Sequence, residues 1–396
     1  MSLDFQQVQQ QVTKMGENAP ERAKHLRALQ AKALDTLYAY ADQIEQLREK
    51  VETALGDNPN LRCALPGTEA LNHTSPRPPL PPSITIIAAD GSQINPDRHA
   101  FVDYCLVNVG AIHMRQGDSS PPETTIRSSL LYDEHMYSGN GRLTESLVAL
   151  RRDLYERQLL AELAQEAEPP MITLTDGPLE LWVGRDSGQD AQAYKSTFKD
   201  YLKALDQLYQ AGASTAGYID KPRGDLLVRL LEIALLPVND LQNAGQRGRR
   251  RMLGITDSDL LREILGPGER SAIFGIQSRN AGKYADQLGL HFFYLNVGAG
   301  SGRQAYPVRV EIPAWVAQDA ETINNLQAVL VHQCQILGSR PYPYLLHRSH
   351  EVAVVTQDDK MQVERMIANE LHRRGIPVGL PSHKQAAKDS AGRTRM

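Results

Sequence analysis

The 396-residue sequence predicts an α/β protein, and three observations carry that reading. First, β-branched apolar runs, "SITIIAAD" and "PMITLTDG", have the composition of buried strands. Second, between them lies "RLTESLVALRRDLYERQLLAELAQEA", whose leucines recur at helical spacing. Third, strand and helix patterns go on alternating from Ile84 to Arg374, which describes a sheet covered by helices.

Taken in order, residues 1–58 are rich in Gln, Glu, Lys, Leu and Ala. Leu26, Leu29, Ala33, Leu37 and Ala41 recur three and four apart, so one or two amphipathic helices form an N-terminal arm used for packing or dimerisation. Residues 59–82 end in "TSPRPPLPP", which cannot be helical and reads as an extended linker. A domain over 83–380 follows. "SITIIAAD" opens it, "AFVDYCLVNVGAIHM" supplies one or two more strands, and the long helix leads to "PMITLTDG". A helix around Tyr194 to Leu208 precedes the strand "TAGYIDK" and the helix "DLLVRLLEIALL". "HFFYLNV" and "YPVRVEIP" form a hairpin around the Gly-rich "GAGSG". Helices near Ala320 to Leu337 and Asp358 to Arg374 end the domain. Residues 381–396 are a disordered polar tail.

Composition excludes several classes. A net charge of -4 leaves room only for a local nucleic-acid patch. Cys63, Cys105 and Cys334 lie far apart without a CxxC pair, which argues against a zinc finger or disulfide framework and for a reducing compartment. The polar start "MSLDFQQVQQQ" shows no signal peptide, and "LLVRLLEIALLPV" is too short to span a bilayer and carries Arg229 and Glu232. A soluble cytoplasmic protein without membrane contact is expected. No G-x-x-x-x-G-K-[ST] run occurs, so the chain is not itself a P-loop motor.

The residues suited to chemistry begin with the two strand-Asp-Gly units, at Asp90 and Asp176. Asp-Gly alone is a common turn. Repeated after two buried strands, it would bring two carboxylates to one sheet edge, where a divalent cation offsets their repulsion. A third acid comes from the long helix: Glu156 sits among apolar neighbours, where a carboxylate is costly unless paired, with Glu145 and Asp153 as competitors. Near the C-terminus, "SRPYPYLLHRSHEVAVV" places Tyr342 in a proline-constrained loop and His350 at the start of an apolar run. His350 there could ligate a metal or move a proton.

These pieces, in this order, resemble the NurA nuclease family: "ADGS" at Asp90, an acid-bearing helix, "DGPL" at Asp176, "GYIDKPRG", "FFYLNV" followed by "VRVEIPAW", and a Tyr-Pro-x6-His element at Tyr342 to His350. The resemblance implies a ribonuclease-H-like mixed sheet flanked by helices. It implies a manganese-dependent (or magnesium-dependent) deoxyribonuclease holding two ions. The expected activity is 5′–3′ exonuclease or single-strand endonuclease in double-strand-break end processing. Such a protein works as a homodimer with a hexameric HerA-type ATPase on single-stranded DNA or duplex ends. It makes Asp90, Glu156 and Asp176 metal-binding carboxylates, with His350 as a further ligand and Tyr342 completing the catalytic set. For phosphate contact, Lys221 and Arg223 in "YIDKPRG" and the basic run with Arg249 and Arg250 are the candidates. The rival readings are a non-catalytic NurA-like scaffold that binds DNA or the ATPase, and a metal phosphoesterase for small substrates.

Overall fold

The computed structural model describes residues 3–97, 100, 102–138, 141–181, 191–246, 248, 250–298, 305–338 and 340–377. Helices α1 (Phe5–Ala39) and α2 (Ile44–Asp57) come first, followed by short strands β1 (Cys63–Pro66) and β2 (Thr74–Ser75). Three long strands come next: β3 (Ile84–Ile94), β4 (Tyr104–Gln116) and β5 (Glu123–Tyr132). The small β6 (Tyr137–Ser138) and β7 (Gly141–Arg142) lead into α3 (Glu145–Glu166) and β8 (Met171–Asp176). Then come α4 (Ala191–Gln210), β9 (Ala213–Ile219), α5 (Leu226–Ala234) and α6 (Asp257–Leu261). Four strands follow, β10 (Arg270–Ser271), β11 (Phe274–Gln277), β12 (Leu290–Asn296) and β13 (Pro307–Pro313). Helices α7 (Ala314–Ala317), α8 (Ala320–Ile336), α9 (Tyr344–Ala353) and α10 (Gln357–Arg373) complete the chain.

The chain divides into two compact units. The first comprises Met1–Leu80 and Tyr218–Pro341. Its strands follow the order β1-β11-β12-β13. β12 and β13 form the expected hairpin, in register from Leu290↔Pro313 to Asn296↔Pro307, with 299–304 of its loop outside the described residues. Every position of β13 is buried, including Arg309 and Glu311, which pair at 2.8 Å. The Arg309 guanidinium also lies 4.2 Å over the Phe292 ring. Beside them Asp257 accepts hydrogen bonds from Val228 N (2.9 Å) and the Tyr294 hydroxyl (3.1 Å), so the start of α5 is tied to the sheet. Burial pushes Asp257 up to about 6 against those backbone bonds.

The second unit comprises Pro81–Gly217 and Tyr342–Met396 and holds the predicted acids. Its strands run in the order β5-β4-β3-β8-β9. β3, β4 and β5 are successive antiparallel neighbours, and β8 adds parallel to β3, the ribonuclease-H-like arrangement expected above. β3 is buried from Ile84 to Ala89, apolar except for Thr85, as both sheet faces are covered: α3 packs on one and α9 on the other. α3 begins where Thr144 caps the Leu147 N–H and is flanked by α4 as well as by β3 and β4, which explains why it buries residues nearly all round. α10 starts on a Thr356–Asp359 capping box and packs Val363 and Ile367 onto Ile94, Tyr104 and Leu106.

Two local expectations change. "SRPYPYLLHRSHEVAVV" suggests a proline-constrained loop at Tyr342 and an apolar run opening at His350, yet Tyr344–Ala353 is helix α9, with Pro343 as its N-cap; the prolines mark the entry to a helix, where a missing N–H costs nothing. "AADGSQ" was read as a strand ending in a turn, yet β3 runs straight through Asp90 and Gly91 to Ile94, paired with β4 throughout.

Candidate functional site

The parallel register of β3 and β8 decides where the two aspartates lie. It runs from Thr85↔Met171 to Ala89↔Thr175, so one step further Asp90 stands level with Asp176. Neighbouring strands are about 4.8 Å apart, and level residues of a parallel pair project from the same face. The fold therefore brings both acids together. β8 stops at Asp176, which is exposed, and Gly177 turns the chain away with φ +98°. β3 continues, leaving its edge beyond Ala89 without a β8 partner.

Asp90 is held on two sides. One carboxylate oxygen accepts the Gly91 N–H at 2.8 Å; the other lies 2.6 Å from Nδ1 of His350, in the last turn of α9. The Asp90 side chain is 15% exposed and that of His350 60%, so the pair sits at the rim, open to a ligand. The close approach of α9 depends on residues that the sequence reading passed over. Gly110 of β4 stands directly across from Asp90, and a Cβ there would fall 2.6 Å from Val352 and 2.9 Å from the Ala353 nitrogen. The Ser92 hydroxyl and the Asn108 amide both donate to the Ala353 carbonyl, and the Ser92 oxygen accepts the Val355 N–H. A glycine inside a strand is the one signal that could have flagged Gly110.

The helical acid arrives from the opposite face. A Cβ on Gly91 would meet Arg152 Cγ at 2.6 Å and Glu156 Oε1 at 2.7 Å, so the absent side chain of Gly91 is the notch into which α3 lowers both. Glu156 is buried. Burial first, then the neighbouring carboxylates of Asp153 and Asp90, push its proton affinity well above the ordinary carboxylate range, more than Arg152 pulls it down. Asp153 is raised too, by burial, against the pull of Arg152. Arg152 bonds Asp153 at 2.8 Å and lies 3.5 Å from Glu156. Of the three candidate helical acids, Glu156 and Asp153 are beside Asp90, whereas Glu145 lines a separate groove with Gln93 and Lys360.

The donors suit a hard divalent cation in kind: three carboxylates and an imidazole, the set that manganese and magnesium accept. A buried Glu156 with raised proton affinity is the mark of a carboxylate whose charge wants a cation close by. The residues therefore fit the group. Among the described residues no three His, Cys, Asp or Glu side chains converge closely enough to enclose an ion. Within the group Arg152 pairs with Asp153 and lies near Glu156, and His350 bonds Asp90.

The remaining candidates separate. Tyr342 is half-buried two residues before α9 and shares the second unit with the acids. Lys221 and Arg223 are exposed on the loop after β9 in the first unit, Lys221 with φ +45°, a conformation that non-glycine residues seldom adopt. Arg249 lies outside the described residues. Arg250 is corrected: its side chain is 6% exposed and bonds Asp225 at 2.6 Å and Glu232 at 2.8 Å, so it organises its own unit and does not face a phosphate.

Fold and site together define the class: a ribonuclease-H-like α/β protein that gathers carboxylates around its central strand. Residues 84–355 match the family model described as the NurA domain, and the chain belongs to that family. Membership supports a nuclease. Among solved structures, the C-terminal lobe of a budding yeast Argonaute is 11% identical over 68% of this chain and 46% of its own, with a TM-score of 0.27. The chain thus spans less than half of that lobe. Ciona intestinalis endonuclease V, in complex with an inosine-containing DNA, is 10% identical over 81% of this chain and 99% of its own, with a TM-score of 0.31. The catalytic domain of human endonuclease V gives 14%, 84%, 99% and 0.29 in the same order. No curated protein matches the sequence. No helix among the described residues is long and apolar enough to cross a membrane.

Proposed function

We propose that the protein is a metal-dependent DNA nuclease. Asp90, Glu156, Asp176 and His350 hold two divalent ions, manganese by preference and magnesium as the other candidate, and Tyr342 completes the catalytic set. The observation that carries this reading is the register that sets Asp90 level with Asp176 while His350 bonds Asp90. Bound there, the ions supply a water activated for attack and neutralise charge on the phosphate.

The chain's own residues do the positioning. Asp90 is fixed by the Gly91 N–H and by His350, and each of its oxygens keeps a lone pair for a ligand. With Nδ1 of His350 turned to Asp90, Nε2 faces outward, free to ligate or to pass a proton to the leaving oxygen. Glu156 approaches through the Gly91 notch and Asp176 from the end of β8. The Tyr342 hydroxyl orients water or a phosphate oxygen. Lys221 and Arg223, with Arg249, steer the DNA backbone. The same reading carries a homodimer, a hexameric HerA-type ATPase as partner, and 5′–3′ exonuclease or single-strand endonuclease action at double-strand-break ends in the cytoplasm.

Cleavage of end-labelled single-stranded DNA in manganese tests it. Wild type should degrade the strand, and Asp90→Ala should lower the rate by about 100-fold or more. Equal cleavage by both, or none by wild type even with its ATPase, overturns the reading. The scaffold alternative draws on one observation, that a cation of the chain itself, Arg152, bonds Asp153 and lies 3.5 Å from Glu156. Manganese calorimetry separates the two: a scaffold loses no binding on Asp176→Ala, and a nuclease does.

A further inference from the structure

Of the acids, Asp176 is the one that pairing with β3 controls least. That ladder ends at Ala89↔Thr175, one residue short of it. Beyond Asp176 the chain leaves the sheet through Gly177, so the hold on Gly177–Leu179 helps decide where that carboxylate stands. The exit is gripped from two sides within the second unit. On the β9 side, a Cβ at Gly217 would fall 2.5 Å from the Gly177 carbonyl oxygen and 3.2 Å from the Leu179 nitrogen. On the helical side, the Tyr201 hydroxyl of α4 donates to the Leu179 carbonyl at 2.9 Å.

The same hydroxyl makes a second bond. It accepts from Nε of Arg157 at 3.2 Å, and both side chains are buried. Arg157 follows Glu156 in α3, and adjacent helical residues point about 100° apart. Glu156 therefore meets β3 at the Gly91 notch while Arg157 meets Tyr201. The Arg157 charge also pulls against burial at Asp153 and Glu156, which favours their ionised form. A buried tyrosine needs one partner for its hydroxyl. This hydroxyl takes two, and they come from the segments that carry two different acids.

We propose that Tyr201 is a positioning residue of the nuclease site, its hydroxyl locking the exit that carries Asp176 to the helix that carries Glu156. The inference rests on the nuclease reading and deepens it. Being buried, Tyr201 acts through Leu179 and Arg157, not on metal or DNA. A ligand set works only when its members stand within about 0.5 Å of the productive geometry, and this bond pair sets one such separation.

The test is Tyr201→Phe in the full chain, which removes one oxygen and keeps the ring. Manganese binding is read by calorimetry without DNA, and cleavage of a labelled single strand gives kcat and KM. Losing an outer partner of a metal ligand costs about 10- to 100-fold, so manganese affinity and kcat should each fall about tenfold, with KM for DNA unchanged. Arg157→Lys keeps the charge, loses the Nε donor, and should show the same split to a lesser degree. A hydroxyl that serves stability alone would lower the melting temperature and leave manganese affinity and kcat at wild-type values. That result in both variants, or in Arg157→Lys where Tyr201→Phe does not fold, overturns the inference and leaves the nuclease reading intact. Wild type that neither binds manganese nor cuts DNA, even with its ATPase, sinks both together.

Discussion

The sequence uses Asp-Gly twice after a buried strand, at Asp90-Gly91 and at Asp176-Gly177, and the fold gives the two copies different tasks. Gly91 is an ordinary strand residue, paired with Val109, and its value is the space above its α-carbon, into which Arg152 and Glu156 descend. Gly177 has open space around it and earns its place through backbone conformation, φ +98°, which ends β8 and leaves Asp176 exposed. One glycine admits a helix and the other releases a strand. Both serve the same result, two carboxylates level on adjacent strands with a third acid brought up from α3. The lesson is that a repeated dipeptide marks a shared destination and not a shared local geometry.

The largest expected effect treats the copies as equals. If both aspartates ligate, Asp90→Ala and Asp176→Ala each lower manganese-dependent cleavage by about 100-fold or more, and the double variant is hardly worse than either. Measured rates that multiply across the two would show independent sites and break the comparison.

The next separates the glycines. Gly91→Ala places a Cβ 2.6 Å from Arg152 Cγ and 2.7 Å from Glu156 Oε1, so α3 must shift or Glu156 must leave its notch. A stability loss of about 1–3 kcal/mol is expected from such overpacking, with a fall in cleavage as well. Denaturant unfolding read beside cleavage checks it; an unaffected rate would place Glu156 outside the site.

How much of this was legible beforehand follows from what a one-dimensional pattern records. The apolar runs before Asp90 and Asp176 and the helical spacing of the leucines around Glu156 report burial directly, so strands, helix and acids could be found. β5 could not: its residues, from Glu123 to Tyr132, are mostly exposed, so no apolar alternation marks it. α9 hid behind its prolines, and with it the bond from His350 to Asp90. The uses of Gly91 and Gly110 depend on which helix covers which face, which no local signal records. Arg250 read as a surface cation because its partners, Asp225 and Glu232, are 25 and 18 residues away.

A smaller effect tests the acid behind Gly91 through pH. The folded proton affinity of Glu156 is raised, mainly by burial, above its unfolded value of about 4.3. The folded state thus holds a proton that the unfolded state has released. Stability of the metal-free protein falls as pH rises through that value, and keeps falling until the raised folded pKa is passed. Glu156→Gln removes the share of this slope that belongs to Glu156 and leaves that of Asp153, which burial also raises. It should stabilise the metal-free protein at neutral pH by about 0.5–2 kcal/mol while abolishing cleavage, the opposition expected at a functional site. Thermal melts across pH in EDTA check it, with manganese restoring wild type alone. A variant melting below wild type at pH 7 would mean that the Arg152 contact outweighs the burial cost.

The smallest effect belongs to Gly177. With no atom within 4 Å of a would-be Cβ, Gly177→Ala meets no collision, and only the left-handed backbone opposes it. That costs about 1 kcal/mol, less than the collision at Gly91. Since α3 is untouched, the Glu156 pH slope should persist in Gly177→Ala and be altered in Gly91→Ala, which makes the pair of slopes a sharper reading than either stability. Should Gly177→Ala also change the slope, Asp176 and Glu156 are coupled through the backbone turn itself, and the division of labour between the two glycines fails.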